Sequence, residues 1–504
     1  MATRLHPMDP VDAAWYHMDG ATNLAMVTGV ALTHEPLDFV QARTVFAHRL
    51  LHLRRFRQRV VEHGFPYPTP HWEDDPHFAI EDHFHHVALP EPRDKQALLT
   101  LLSDIASTPL DYKRPLWQVH VVDGVGAGSA MILRFHHCVG DGTAMMAISQ
   151  LLFDTTPDAP LTREAPAPRP ARAGLLDSLA RPVRRLLDQS AQAISSGASL
   201  VLHPEQAAEL AQLAARSASV AVGTLLKTPD PPSPLKGRLG VPKRVAWSEP
   251  VELETVKRVG RATDAKVNDV LVAAMAGALR HYMQARGAEV DGLTLRGVVP
   301  VDLRPPDRAL ELGNRFGLVF LDLPVGISGP LARLAATRQR MAAIKRSPEA
   351  AVFLGILNLF GRTPRPVEEL ALTIFGSKAT LVMTNVAGPR TPLYLAGRLI
   401  DRMTFWVPHP ADLGMGVSIL SYNGMVTLGI VADAGLVPDP ERIAEEFNRE
   451  FDRLCAEVNG LGGTAHKTAP ATPAHHCAAT TAAGRACKNR PLAGSAYCRV
   501  HQPK

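Results

Sequence analysis

The residues best suited to chemistry are two adjacent histidines followed closely by an acid and a glycine: His136-His137-Cys138-Val139-Gly140-Asp141-Gly142. An imidazole with an ordinary pKa of ~6.5 can take up and return a proton at neutral pH, as general acid–base catalysis requires. Paired histidines alone say little, since His85-His86 and His475-His476 occur in the same chain, and a lone core histidine is usually satisfied by the backbone. The full pattern His-His-x-x-x-Asp-Gly carries far more information. Asn268 is a second candidate, standing before Asp269 and an apolar run over 270–279. It is either the N-cap of a helix or an amide lining a site, where it would orient a reacting group or stabilise developing negative charge. Thr384 and Asn385 are equally open between oxyanion donors and turn residues.

The elements that must position these groups can be read locally. Residues 130–136 predict a strand, and period two puts Met131, Leu133, Phe135 and His137 on one face and His136 on the other. Gly140 and Gly142 permit a tight turn into a helix over 143–153. A histidine at a strand end beside such a turn can reach a substrate channel. A second strand runs over 116–122, where Trp117 has the usual place of a core aromatic. Further expectations are a helix over 268–286, a strand over 295–301 and a closing helix over 440–458.

Composition bounds the whole. The 504 residues are 46% hydrophobic and 20% charged, enough for a large core and against wholesale disorder. A formal charge of +5, from 54 basic and 49 acidic residues, suits an anionic phosphate ligand or membrane face but demands neither. The first 30 residues hold Asp9, Asp12, His17 and Asp19 and no apolar core of a signal peptide, which predicts a cytoplasmic protein. From Leu413 to Ala432 no residue is charged, a membrane-length run. Asn423-Gly424 interrupts it, and Asn-Gly between apolar residues signals a hairpin of two buried strands instead.

The chain divides by composition into 1–157, a Pro/Ala/Arg-rich connector 158–242, a second α/β region 243–459, a flexible linker 460–473 and a tail 474–504. Two helical islands, over 174–187 and 204–226, interrupt the connector. The first carries leucines beside Arg181, Arg184 and Arg185, a pattern shared by helices packed on their own core and by helices lying on membranes.

With these blocks in order, the chain resembles the bacterial wax ester synthase/diacylglycerol acyltransferase family, a branch of the HHxxxDG CoA-dependent acyltransferases. Pro115-Leu116-Trp117, Asn268-Asp269, Gly313-Asn314-Arg315-Phe316-Gly317 and Thr384-Asn385-Val386-Ala387-Gly388-Pro389 resemble its further motifs, the last with Ala387 in place of a proline. Pro10-Val11-Asp12-Ala13 also fits. The resemblance covers about residues 5–458. It implies an α/β fold of two chloramphenicol-acetyltransferase-like domains with a central tunnel, and acyl transfer from acyl-CoA to diacylglycerol or a long-chain alcohol. It implies His137 as general base, with His136 shaping the loop. Asp141 is then structural, paired with an arginine for which Arg304 is the candidate, although a triad-like role for Asp141 stays open. The resemblance also places Trp117 near the substrate channel without a chemical role.

No glycine-rich phosphate loop is present, so CoA must be held by scattered groups. No catalytic cofactor is expected. Peripheral contact with the inner membrane face or a lipid droplet is compatible with lipid substrates. The alternatives are a polyketide- or peptide-associated enzyme using a carrier-protein thioester, and a catalytically idle lipid-droplet coat protein.

Three of the five cysteines crowd the tail, where Cys477, Cys487, Cys498 and His501 form C-x9-C-x10-C-x2-H. Three thiolates and an imidazole suit a structural zinc, which would stabilise a segment too short for a core. The other reading is a disordered tail with reduced cysteines, and the sequence names no partner for it.

Overall fold

In the computed structural model, two mixed β-sheets face one another across a shared interior, and the chain crosses between them. The structure describes residues 6–63, 69–161, 223, 227–305, 311–345, 347, 349–362 and 365–465. The connector islands over 174–187 and 204–226, and the tail with Cys477, Cys487, Cys498 and His501, lie outside the described residues, save Gly223 in a helix. The chain separates into the units Met1–Leu454 and Cys455–Lys504, and the first holds both large sheets and a small antiparallel one of His6–Pro7, His71–Asp74 and Gln58–Val61.

The first sheet has six strands in the order Tyr394–Leu395, Arg398–Trp406, Met26–Thr33, Gly128–His136, Trp117–Val125 and Phe84–Ala88. Its central strand Gly128–His136 is buried on both faces, so its residues alternate between two cores. Met131 and Phe135 join Val27, Val119 and Trp117 on one side. Ala130 and Ile132 join Val30, Val122 and the helix Lys95–Ser107 on the other. That helix begins where the Asp94 carboxylate accepts the Ala97 N–H at 2.8 Å, and it buries Leu98, Leu99, Leu102 and Ile105 at helical spacing.

The second sheet runs Phe316–Leu323, Leu295–Asp302, Leu381–Ala387, Met415–Tyr422, Met425–Asp433 and Lys243–Trp247, with Val251–Glu252 also pairing on Met425–Asp433. The uncharged run is the expected hairpin. Met415 pairs with Ala432 and Tyr422 with Met425, and Asn423 and Gly424 both take the left-handed backbone of a two-residue turn. Among the described residues no helix is long and apolar enough to cross a membrane.

The stretch Tyr394–Trp406, which falls inside the 243–459 region, joins the first sheet instead. Arg398–Trp406 pairs along Met26–Thr33, from Ile400 opposite Thr33 to Trp406 opposite Thr28. It also lies close on the second sheet. A Cβ at Gly429 would meet the Phe405 carbonyl oxygen at 2.4 Å, so only glycine admits this approach. Trp406 is buried, and its Nε1–H donates to the Ala246 carbonyl at 3.0 Å, tying the crossover strand to Lys243–Trp247. Replacing Trp406 by Ala is expected to cost about 3–5 kcal/mol in urea unfolding, because the cavity opens at this joint. Secondary-structure and tryptophan signals should shift together.

Candidate active site

The strand Gly128–His136 runs straight into the histidine turn. His137–Val139 form one 3-10 turn, Gly140 follows, and Asp141 caps the helix Gly142–Leu152 by accepting the Ala144 N–H at 3.0 Å. The strand therefore ends one residue before His137. Its ring nevertheless joins Met131, Leu133 and Phe135 on one cavity wall. Gly142 is the first helical residue rather than a turn residue, and it also lines the cavity.

His136 points away from this wall and is fully buried. Its Nδ1 accepts the Cys138 N–H at 3.1 Å, its Nε2 lies 3.6 Å from Asp19, and the rings of Tyr16 and Tyr112 surround it. It holds the turn from behind. Leu116 supports the same point, its carbonyl accepting the His136 N–H at 3.0 Å. Pro115, Leu116 and Trp117 are buried. Trp117 stacks between Phe46 and His83 and donates from Nε1 to the Phe56 carbonyl at 2.8 Å. It is core packing beneath Phe135, its partner across the strands.

His137 is nearly enclosed. Trp15, from the helix Pro10–His17, stacks on it with ring centroids 3.9 Å apart and planes 15° apart, and Phe316 approaches from the second sheet. Its backbone N–H donates to the Ala25 carbonyl at 2.7 Å. Burial disfavours the imidazolium and pushes the His137 pKa down to about 4, outweighing the opposing pull of Asp141. At neutral pH the ring is uncharged.

The Asp141 carboxylate turns toward the second sheet. Its Oδ2 accepts from Arg304 Nη2 at 2.8 Å and from the Arg315 N–H at 2.9 Å. Arg304 also donates to the Gly313 carbonyl at 2.7 Å and to Glu311. The backbones meet as well, with the Gly313 N–H on the Val139 carbonyl at 3.0 Å and the Asp141 N–H on the Gly313 carbonyl at 3.2 Å. Beside them, Thr143 Oγ1 donates to Asp302 at 3.0 Å.

Asn268 is not the N-cap. The helix Val267–Ala285 starts after Lys266, and the buried Asp269 caps it by reaching back to accept the Lys266 N–H at 2.9 Å. An acid at the third helical position can serve this donor, which frees Asn268 for another contact. Its Oδ1 accepts Asn385 Nδ2 at 2.7 Å. Thr384 and Asn385 line the cavity, and Asn268 backs them.

The cavity itself is about 790 Å³ and is walled by both sheets. Phe320, Phe353 and Phe375 form an aromatic group on the second-sheet side. Its volume falls within the range of small-molecule sites, with few polar groups among many apolar ones. Among the described residues no group of three or more His, Cys, Asp or Glu could hold a metal. Trp15 and Asn314, which touch His137 directly, carry no role from sequence reasoning. Asn314 falls within the Gly313–Gly317 block and Trp15 two residues past Pro10–Ala13, and only the fold reveals their place beside the histidine.

An α/β fold whose two large sheets enclose an apolar cavity, with one neutral, buried histidine on the cavity wall, suits proton transfer on an apolar substrate. The wax ester synthase/diacylglycerol acyltransferase catalytic domain matches residues 8–271, and the C-terminal domain of the same family matches residues 312–455. The chain belongs to the wax ester synthase/diacylglycerol acyltransferase family. Proteins named as diacylglycerol O-acyltransferases in Mycobacterium bovis and Mycobacterium tuberculosis are 29% identical over 423 residues, covering 81% of this chain and 86% of theirs. The wax ester synthase/diacylglycerol acyltransferase from Marinobacter aquaeolei VT8 shares the fold with a TM-score of 0.63 at 21% identity, over 90% of this chain and 100% of that one. The starter condensation domain of rhizomide synthetase shares it at a TM-score of 0.55 and 13% identity, over 90% and 94%.

The Asp141–Arg304 pair is buried, so removing one partner strands the other. Asp141→Ala and Arg304→Ala are each expected to cost about 3–5 kcal/mol in denaturant unfolding. The double variant should cost clearly less than the sum of the two, because the sites are in direct contact.

Proposed function

We propose that this protein transfers the acyl group of an acyl-CoA to the hydroxyl of a lipophilic alcohol, with diacylglycerol as the preferred acceptor and a long-chain alcohol as the second. The observation that carries this reading is the neutral His137 imidazole on the wall of an apolar cavity of about 790 Å³. The acceptor hydroxyl attacks the thioester carbonyl carbon while His137 takes its proton. The tetrahedral intermediate then collapses, the C–S bond breaks, and the CoA thiolate recovers the proton from the imidazolium. Thiolate is a good enough leaving group that no acyl-enzyme is needed. The Asn385 amide, which donates to Asn268 Oδ1 and lines the cavity, would give its second hydrogen to the developing oxyanion. His136 and Asp141 shape and anchor the turn without touching substrate.

The architecture assumed is that of paired chloramphenicol-acetyltransferase-like halves, 1–157 and 243–459, joined by 158–242, with Tyr394–Trp406 exchanged into the first sheet. Both substrates partition into lipid, which favours a cytoplasmic protein working in peripheral contact with a membrane or lipid droplet. Transfer from a carrier-protein thioester is the second reading, favoured by the likeness to condensation domains. The family match over both halves weighs against it.

The test is release of CoA thiol from palmitoyl-CoA with diacylglycerol, hexadecanol or no acceptor, followed by analysis of the lipid products. Release should depend on acceptor and fall by ~10²–10⁴-fold in His137→Ala. Release that is independent of acceptor, or unchanged without His137, would contradict the reading and bring forward the carrier-protein and idle-coat alternatives.

The pH profile follows from the depressed histidine. The base is lost only when His137 gains a proton, with a midpoint at about 4 rather than at the ordinary ~6.5. Between about pH 5.5 and 8, kcat/KM should therefore be flat. A half-loss near pH 6.5 would mean that the working histidine is not the buried, neutral one.

A further inference from the structure

Two blocks far apart in sequence, Pro10–Ala13 and Gly313–Gly317, converge on the back of His137. Asn314 sits at their meeting point and is buried. Its Nδ2 donates to Asp12 Oδ1 at 2.8 Å and to the His137 carbonyl oxygen at 2.7 Å, while its own N–H donates to the same Asp12 oxygen at 2.8 Å. Its Oδ1 faces His137 Nδ1 at 2.9 Å.

The amide can point only one way. Reversing it would press its carbonyl oxygen against two acceptors and leave both unpaired, which is costly for buried groups. With Oδ1 toward the ring, the bond to Nδ1 forms only if Nδ1 carries the hydrogen. A neutral imidazole has one N–H, so Nε2 is then left with the lone pair. Trp15, from the same helix as Asp12, stacks on the ring in this orientation and covers one of its faces.

We propose that Asn314, held by Asp12, is a positioning residue that fixes His137 as the Nδ1–H tautomer and so makes Nε2 the basic atom. The inference deepens the reading of His137 as general base and rests on it only for its kinetic arm.

Asp12 serves in either protonation state. Burial raises its carboxyl to about 7, against the pull of Arg55 and the Asn314 hydrogen bonds, and Asp9 adds to the rise. Arg55 lies 4.0 Å from Oδ2, while Oδ1 receives both Asn314 donors. A proton on Oδ2 leaves Oδ1 an acceptor. Around the imidazole itself the charged or titratable neighbours are Asp141 and His136.

The full-length protein labelled with nitrogen-15 histidine tests this directly. The His137 ring signals are assigned by their loss in His137→Gln. Nδ1 should be protonated and Nε2 bare, and a spectrum with Nε2 protonated would overturn the inference whatever the activity. Kinetically, Asn314→Ala should lower kcat by roughly 10²-fold while KM for palmitoyl-CoA stays within about twofold. Equal kcat, or a loss confined to KM, would overturn it. If Asn314→Ala does not fold, Asp12 decides. Asp12→Asn keeps the acceptor and should retain at least about tenfold more kcat than Asp12→Ala; equal losses would argue for mere packing. Full activity in His137→Ala would instead remove the general-base reading, while leaving the tautomer result standing.

Discussion

The structure hangs on the buried carboxylate of Asp141. It belongs to the turn that follows the central strand of the first sheet, yet two of its three hydrogen bonds come from the second sheet's side of the molecule, from Arg304 and the Arg315 N–H. Burying such a pair is expensive and is tolerated only where the hydrogen bonds are complete. Here they lock the histidine turn to the Gly313 segment, and the backbones bridge at Gly140 and Gly313. Gly313 has a φ of +102°, a conformation that an L side chain rarely adopts. That backbone carries Asn314 into contact with the imidazole. A structural acid, an arginine and a glycine thus set the surroundings of a histidine to which the acid makes no hydrogen bond.

The same enclosure sets the chemistry. Walls of phenylalanine, leucine and methionine admit hydrocarbon and discourage charge, so the histidine stays neutral well below the usual range. A weakly basic imidazole is a poor acceptor in water. In the proposed mechanism the alcohol loses its proton only as it attacks, so the imidazole need act only at the transition state. Apolar walls that exclude water would also protect a bound thioester from hydrolysis while the proposed lipid hydroxyl attacks.

How much of this is legible in the sequence depends on the range of the interactions. The strand ending in the histidine pair, the helix after Asp141 and the hairpin around Asn423-Gly424 are set by period, caps and turn residues within a few positions, and they read correctly to within a residue or two. Asn268 reads equally as a cap or as a site amide, and the cap reading fails because Asp269, one position later, does the capping. The passage of Arg398–Trp406 into the first sheet is not legible, since strand pairing over hundreds of residues leaves no local trace. The convergence of Asp12 and Asn314 on His137 stays hidden for the same reason. Their motifs are visible as resemblances, but their contacts exist only across the folded interior.

Direct transfer from thioester to alcohol at a single histidine, as proposed, leaves no acyl group on the protein at any stage. Intact-protein mass spectrometry during turnover reads this out, with palmitoyl-CoA supplied first alone and then with diacylglycerol. The protein mass should stay unmodified throughout, with free CoA and triacylglycerol appearing together only after the alcohol is added. A protein heavier by one palmitoyl group before the alcohol arrives, and returning to its original mass as ester forms, would contradict it.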